Sequence, residues 1–454
     1  MGYNFLPYQE NQLYLLPPSV SEWVAEESLA RFVSDVVDHL DEAGRLAAFY
    51  DGYRKDGWGR AAYHPRMMVK LLMYAYSEGM TSSRRIAQRC ERDVAYRYLT
   101  ANQQPDFRTV SDFRKAHLCR LEALFVEVLR LCREAGLAKM GRVALDGRRV
   151  SGNAALDQNR TKEGLEEEVR RILEEAERVD AAEDRQHGKD RRGDELPEGM
   201  RTKADRLRRL REAQGRLEEA ERKAREEQAE KIAEREREER ESGKKKRGRK
   251  PKAPEAVETP EAKANVTDPE SQILKTKKGW VQGYNGQAVA DCATQVIIAQ
   301  DVTQQANDVQ QLGPMLTRCE EQAGQRPREL LADAGYWSED NAALGGETTE
   351  LFVATLKDHK QRKALQKSPT PRGRIAKTAT LRDRMERKLL TKRGKAAYRE
   401  RGKTIEPVFG QMVNRGLVRF LLRGFEKVRG EWSLWCTSHN LLKLWRSGWR
   451  PATT

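Results

Sequence analysis

Apolar residues along this chain fall into three regimes, and each predicts a different kind of structure. Up to about Met140 they recur at helical spacing. Pro65 opens a run in which Met67, Leu71, Tyr74 and Ala75 share one face and Gly79 stops the helix. Thr81 is placed to cap a second helix, SSRRIAQRCERD, with Ile86, Ala87 and Cys90 as a narrow apolar stripe. AYRYLT predicts a short third helix, and the segment Asp106 to Ala116 leads into another that ends near Cys132. Then Val143, Ala144 and Leu145 form a short buried-type run predicting a strand that ends in Asp146, followed at once by Gly147, which leaves backbone room for a phosphate.

From about residue 157 to 264 aromatic residues vanish and Glu, Arg and Lys dominate. Leu165, Val169, Ile172, Ala176 and Val179 form one heptad-like seam, and Leu210, Ala213, Leu217, Ala220 and Ala224 form another. The break QHGKDRRGDELPEG between them predicts a helical hairpin of coiled-coil type, thin along its alanine-rich side. Beyond it the pattern changes again. GYNGQAVADCATQVIIAQDVT predicts two strands around a turn at Asp291 to Thr294, and a helix follows from about Asp308 to Ala323. RELLAD predicts a strand ending in Asp333, then a turn at Gly335, a helix capped by Ser338, and a last strand at LFVAT. This order predicts a mixed α/β sheet that brings Asp146 and Asp333 to neighbouring strand ends.

Composition adds a partner. The 454 residues carry a formal charge of +15, and 34% of them are charged, too many for one compact globule. A length prior suggests about three domains, and the basic balance favours a polyanion such as nucleic acid. Arg84, Arg85, Arg89 and Arg92 cluster on one predicted helix, which fits either a helix-turn-helix on DNA or a helical bundle with a charged face. Arg247-Gly248-Arg249 lies in a proline-containing basic linker and resembles an AT-hook for the minor groove, although Lys250 displaces the usual proline; a nonspecific basic tether fits equally. The six cysteines form no CxxC pair and no zinc spacing, so free thiols in the cytoplasm are expected. No apolar run approaches the ~20 residues of a membrane span, and no membrane association is expected. The Trp-rich C-terminal stretch, with Trp432, Trp435, Leu441, Leu442 and Trp445, predicts a helix packed on the sheet, or a stacking surface for bases.

Two aspartates at strand ends suit two-metal phosphodiester chemistry, which needs carboxylates converging from separate elements. Here VALDG, KKGWVQGYNGQAV, ADAGYWSEDN, YRERGKTIEPVFGQ and FLLRGFEKVRGEW together resemble the bacterial insertion-sequence transposases of the DDE type. The resemblance implies an RNase H-like catalytic core at 139–157 and 265–450, interrupted by the charged insertion at 158–264 and preceded by a helical DNA-binding domain at 1–138. It implies Asp146, Asp333 and Glu406 as catalytic and metal-binding carboxylates, with two Mg²⁺ or Mn²⁺ ions. Tyr398 and Arg401 would touch DNA phosphate near the cleaved end. Partners would be double-stranded DNA, both the terminal inverted repeats and the target, met by a homo-oligomer assembled on the nucleoid.

Two positions depart from the family's Tyr-x2-Arg-x3-Glu-x6-Lys signature. Glu406 stands one residue late, and Val413 replaces the lysine, leaving Arg415 or Arg419 to supply that contact. Thr404 as a helix cap and Pro407 in a first turn predict a chain break between Arg401 and Ile405 that absorbs the offset. The activity implied is strand cleavage and strand transfer. A nuclease without transfer, or a transposase-derived DNA-binding regulator with a dead site, are the alternatives.

Overall fold

The computed structural model describes residues 19–53, 61–172, 174, 198–242, 253, 263–346, 348–376 and 378–451. The N-terminal part is helical: α1 (Leu29–Glu42), α2 (Pro65–Ser77), α3 (Ser83–Arg92), α4 (Val94–Leu99), α5 (Phe107–Ala116) and α6 (Leu118–Glu134). Their starts follow local chemistry. Ser28 caps α1 by accepting from Arg31 N, Pro65 is the first residue of α2, and Asp106 caps α5 by accepting from Arg108 N and Thr109 N. Helix α3 begins one residue later than the Thr81 cap predicts, with Ser82 at the N-cap. The carbonyl of Thr81 is instead held by Arg114 Nη1 at 2.9 Å. Ile86 and Cys90 are buried as expected, while Ala87 is only partly covered.

The sheet contains β1 (Arg142–Ser151), β4 (Gln272–Thr276), β5 (Gly279–Asp291), β6 (Ile297–Thr303), β7 (Glu329–Ala332) and β8 (Glu350–Val353). Strand β5 pairs antiparallel with β1 on one side and with both β4 and β6 on the other. Strands β7 and β8 continue the sheet beyond β1, parallel to it. Two expectations change here. Strand β1 does not stop at Asp146: it is paired with β5 from Val143 to Ser151, so Asp146 lies mid-strand. The polar run Gly147-Arg148-Arg149 looks like a turn in sequence, but the ladder on β5 satisfies its backbone groups. Strand β4, joined to β5 at Lys277-Lys278, was not expected from its lysine-rich pattern.

The charged insertion leaves the sheet through β2 (Asn159–Arg160) and returns through β3 (Ala264–Asn265), an antiparallel pair that closes its base. Helix α7, whose described run is 162–172, meets α8 (Glu198–Ser242) along Leu165, Ile172, Leu210, Ala213 and Leu217, which form an apolar cluster with Ala264 and Val266. The seam stops there. Ala220 is exposed and Ala224 only partly covered, so the second heptad run is half as long as its pattern suggests. Farther along, α8 is laced by i,i+4 pairs such as Arg235–Glu239 and Arg237–Glu241, both at 3.1 Å. Ala176, Val179, Arg247, Arg249 and the predicted hairpin break up to residue 197 lie outside the described residues, while the last two residues of that break, Glu198 and Gly199, open α8.

Helices α9 (Leu312–Ala323), α10 (Glu339–Ala343), α11 (Asp358–Lys367), α12 (Leu381–Leu390), α13 (Lys392–Asn414) and α14 (Phe425–Arg446) complete the chain. Helix α14 is buried around most of its circumference, between α6 and α2 on one side and β6 on the other. Its polar residues are matched to backbone groups. Asn440 Oδ1 accepts from Ile297 N and its Nδ2 donates to Ile297 O, both at 2.8 Å, so an amide side chain acts as a one-residue strand beside β6. Glu431 accepts from Leu421 N and Leu422 N, and Trp432 Nε1 donates to Gln287 O at 3.2 Å. The tryptophans therefore join the core rather than a base-stacking surface: Trp432 and Trp435 are fully buried.

Asn440→Leu would strip the partners from two buried backbone groups of Ile297, and we expect a loss of about 3 kcal/mol in denaturant unfolding. A loss under about 1 kcal/mol would show that the amide does not hold α14 to the sheet.

Candidate active site

The parallel register of β1 on β7 places the two aspartates. Arg142 faces Glu329, Val143 faces Leu330 and Ala144 faces Leu331. Continued by two places, the same register sets Asp146 beside Asp333, which follows β7 directly. Each carboxylate is steadied by a nearby amide: Asp146 Oδ1 accepts from Gly147 N at 2.9 Å, and Asp333 Oδ1 from Gly335 N at 2.8 Å.

Helix α13 lies across these strands and delivers Arg401, whose side chain is 4% exposed. Its Nη2 is 3.0 Å from Asp146 Oδ2 and 3.5 Å from Asp333 Oδ2, and its Nη1 is 3.9 Å from Glu406 Oε1. One guanidinium thus meets all three carboxylates that the sequence nominates. Glu406 is the outermost, half-exposed and paired with Arg362 Nη2 at 2.9 Å. Arg142 anchors the helix by bridging Glu329 of β7 and Glu400 of α13.

The predicted break in α13 is absent. The helix is continuous through Pro407, and Thr404 is no cap, since its Oγ1 donates back to Glu400 O at 2.8 Å. Proline removes the amide that would bind the carbonyl four residues earlier. That carbonyl, Lys403 O, accepts instead from Gln295 Nε2 at 3.1 Å, so the turn after β5 repairs the defect. The one-residue offset of Glu406 is consequently not absorbed: it lies five residues beyond Arg401 on a continuous helix, toward the rim of the site.

Sequence reasoning missed Asp308. It accepts on Oδ1 from Asn285 Nδ2 at 2.7 Å and from Gln287 Nε2 at 2.8 Å, and Arg149 Nη2 lies 3.9 Å from its Oδ2. A Cβ at Gly147 would fall 2.6 Å from Asp308 Oδ1 and 2.5 Å from Gln287 Nε2. Glycine at 147 is thus required by this cluster, whose side chains occupy the room that the sequence reading left for a phosphate. In sequence Asp308 is an ordinary acidic residue at a helix start; the signal was the Asn285–Gln287 pair, alternate residues on one face of β5.

Burial pushes the Asp146 carboxyl well above its ordinary range, with Asp333 and Asp308 adding to the rise and Arg401 opposing it. Burial likewise raises Asp333, against Arg401 and with Asp308 and Asp358. Burial disfavours charge on Arg401, but Asp146, Tyr398 and Asp333 outweigh it. Tyr398 is buried beside Arg401, and its hydroxyl has no hydrogen-bond partner. Both residues line a cleft of about 460 Å³ together with Asp358, Arg362, Lys395 and Glu406. Tyr398 and Arg401, expected to touch DNA phosphate, are thus both buried side chains at this cleft. Of the other nominated residues, Arg84, Arg85, Arg89 and Arg92 are exposed on α3; Arg89 is tied to Asp93 at 2.9 Å and Arg84 stacks over Phe107.

Among the described residues, no three His, Cys, Asp or Glu side chains are gathered closely enough to hold a metal ion. The Asp146–Asp333 pair nevertheless holds a cationic group between its oxygens. Such hard donors suit Mg²⁺ or Mn²⁺, which need only one or two carboxylates besides water and phosphate. No helix among the described residues is long and apolar enough to cross a membrane.

Comparison with known proteins gives two family matches. Residues 18–116 match a transposase domain, and residues 358–445 match a transposase DDE domain. The first covers α1 to α5 and the second covers Tyr398, Arg401 and Glu406, while Asp146 and Asp333 fall between them. No curated protein and no solved structure matches the chain.

The raised carboxyls set a sign for pH dependence. Between the unfolded aspartate value near 4 and the higher folded values, the native protein binds more protons than the unfolded chain. The stability these groups contribute is therefore full below pH ~4 and is lost as pH rises through the folded values. A divalent ion needs the ionised forms, so the Mn²⁺-induced rise in melting temperature should be larger at pH 8 than at pH 6 and absent in Asp146→Asn. Equal shifts at both pH values, or an undiminished shift in the variant, would contradict the assignment.

Proposed function

With the two matches marking this chain as an insertion-sequence transposase of the DDE type, we propose that it cuts DNA at the ends of its element and joins them to target DNA at the Asp146–Asp333 site. The observation that carries this reading is the in-register pair of carboxylates on adjacent parallel strands, with a buried guanidinium bridging them and Glu406. An RNase H-like core is supported by the five strands β6-β5-β1-β7-β8, among which β5 alone runs antiparallel to the rest, with β4 added as a further antiparallel strand on β5.

Bound divalent ions would supply a nucleophile activated at neutral pH and charge stabilisation for the leaving oxygen. Asp146 and Asp333 would hold them, and Glu406 would complete the set from the rim. Asp308 acts as a positioning residue, its carboxylate fixed by Asn285 and Gln287 against the Gly147 backbone. Arg401 neutralises the pair and must yield some of its contacts when a divalent ion is held, which leaves it facing the cleft that Tyr398 lines. The exposed arginines of α3 supply attraction for duplex DNA in the N-terminal helical region. Synapsis of two element ends requires at least two copies of the chain on DNA.

Purified protein incubated with duplexes carrying its element's ends, with Mg²⁺ or Mn²⁺, should nick them and join a pre-cut end to plasmid. Asp146→Asn, Asp333→Asn and Glu406→Gln should each lower cleavage by more than about a hundredfold while leaving end binding intact, and Asp308→Asn should fall in the 10–100-fold range, roughly that of an outer partner. Nicking without joining would identify a nuclease. Binding without nicking in the unaltered protein would identify a DNA-binding regulator, and full activity in Glu406→Gln would remove the third carboxylate from the site.

A further inference from the structure

At the C-terminal end of α13, beyond Glu406, a concavity of about 180 Å³ opens between α13 and α14. Its lining includes Gln411, Asn414, Arg415, His439, Lys443 and Arg446: three cations and no carboxylate. Arg415 donates from Nε to Gln411 O at 3.3 Å, but both its Nη1 and Nη2 are buried without a hydrogen-bond partner. Lys443 Nζ uses one donor on Gln295 Oε1 at 2.8 Å. Among the described residues, none of the three cations makes an ion pair. Burial, and then Arg446, lower Arg415 to about 10, and burial followed by Arg446 and Arg415 lowers Lys443. The guanidinium rests over the Trp435 ring, 5.9 Å from its centroid, which orients it without neutralising it.

The backbone here is equally fixed. Gly79, at φ +76° after α2, packs so closely on Arg415 that a Cβ would lie 1.7 Å from the Arg415 carbonyl oxygen. Burying an unpaired guanidinium among like charges is unfavourable unless something of opposite charge enters. A planar donor fork with two free arms matches the oxygens of a phosphate.

We propose that the Arg415–Lys443–Arg446 pocket binds a backbone phosphate of the DNA duplex engaged at the Asp146–Asp333 site. This rests on the transposase reading and deepens it: the sequence offered Arg415 or Arg419 for one phosphate contact, and the pocket selects Arg415 and adds Lys443 and Arg446. Arg415 lies nine residues beyond Glu406 on the same helix, about 13 Å along its axis at 1.5 Å per residue. A DNA strand carries a charge for each ~3.4 Å of axial rise, so a strand that follows α13 away from the carboxylates brings a phosphate within a few nucleotides of the cut. The pocket then acts as a second clamp that sets the angle of the duplex.

The test is fluorescence anisotropy on a duplex carrying the element's end, over a series of salt concentrations. Arg446→Gln is exposed and so should fold; Lys443→Gln and Arg415→Gln complete the set. We expect the slope of log affinity against log salt to become shallower by about 0.9 for loss of one phosphate contact, with a matching loss of affinity that neutral methylphosphonate linkages near the cut reproduce in the unaltered protein only. If the unaltered protein binds but the slope is unchanged in Arg446→Gln and Lys443→Gln, the pocket proposal is overturned and the transposase reading survives. If inorganic phosphate stabilises the protein through Arg415 while the DNA slope stays unchanged, the pocket takes a free anion and the DNA assignment is wrong. If the unaltered protein shows no salt-dependent binding to duplex, the transposase reading fails first and this proposal with it.

Discussion

The buried guanidinium of Arg401 is the interaction on which the site depends. Strands β1 and β7 are neighbours, and backbones in that arrangement lie about 4.8 Å apart, so two in-register carboxylates face each other in a weakly solvated setting. Without a cation between them, at least one would stay protonated. Arg401 supplies the charge from a separate helix and so couples the sheet to α13: the carboxylates hold the helix, and the helix makes the carboxylates tolerable. Glu406, carried toward the rim by its offset on the unbroken helix, reaches only the outer nitrogen of the guanidinium.

Much of this was legible in the sequence, and the failures are specific. The run Leu330-Leu331-Ala332 before Asp333, the Gly335 turn and the Ser338 cap all stand where their residue types put them. Asp146 was expected at the end of its strand and lies within it, because Gly147-Arg148-Arg149 has the local character of a turn and only the distant partner β5 overrides it. The unbroken α13 was illegible for a related reason. Pro407 argues locally for a helix start, and its missing hydrogen bond is replaced by Gln295, more than a hundred residues away in sequence. Asp308 carried no local signal, since its role comes from Asn285 and Gln287 and from the absence of a side chain at 147. Tyr398 and Arg401 were singled out by motif, yet their burial could not be read from a pattern rich in charge.

Helix α14 gives the molecule its second organising constraint. It carries an unusual number of buried polar residues for a core helix; Glu431, His439 and Asn440 bond to backbone groups outside it, while Thr437 and Ser438 bond back to its own carbonyls. The helix therefore has one rotation and one height relative to β6, α2 and α6, a specificity that apolar packing alone does not impose. Because α13 and α14 flank the Arg415 concavity and α13 also delivers Arg401, the active site and the helical N-terminal region share a frame. The charged insertion joins it through the short β2–β3 ladder, a small apolar cluster, and Arg216 of α8, which pairs with Glu270 beside the start of α14.

The central claim is that Asp146 and Asp333 together hold a divalent cation where Arg401 now bridges them. Fe²⁺-mediated hydroxyl-radical cleavage of the protein backbone tests it most directly, because cuts fall only within a short radius of the bound ion. The account predicts Mg²⁺-suppressible cuts in β1 around Asp146, just after β7 around Asp333, and in α13 near Arg401, all lost together in Asp146→Asn. Cuts confined to the rim near Glu406 and Arg362, or none in β1 and after β7, would contradict it.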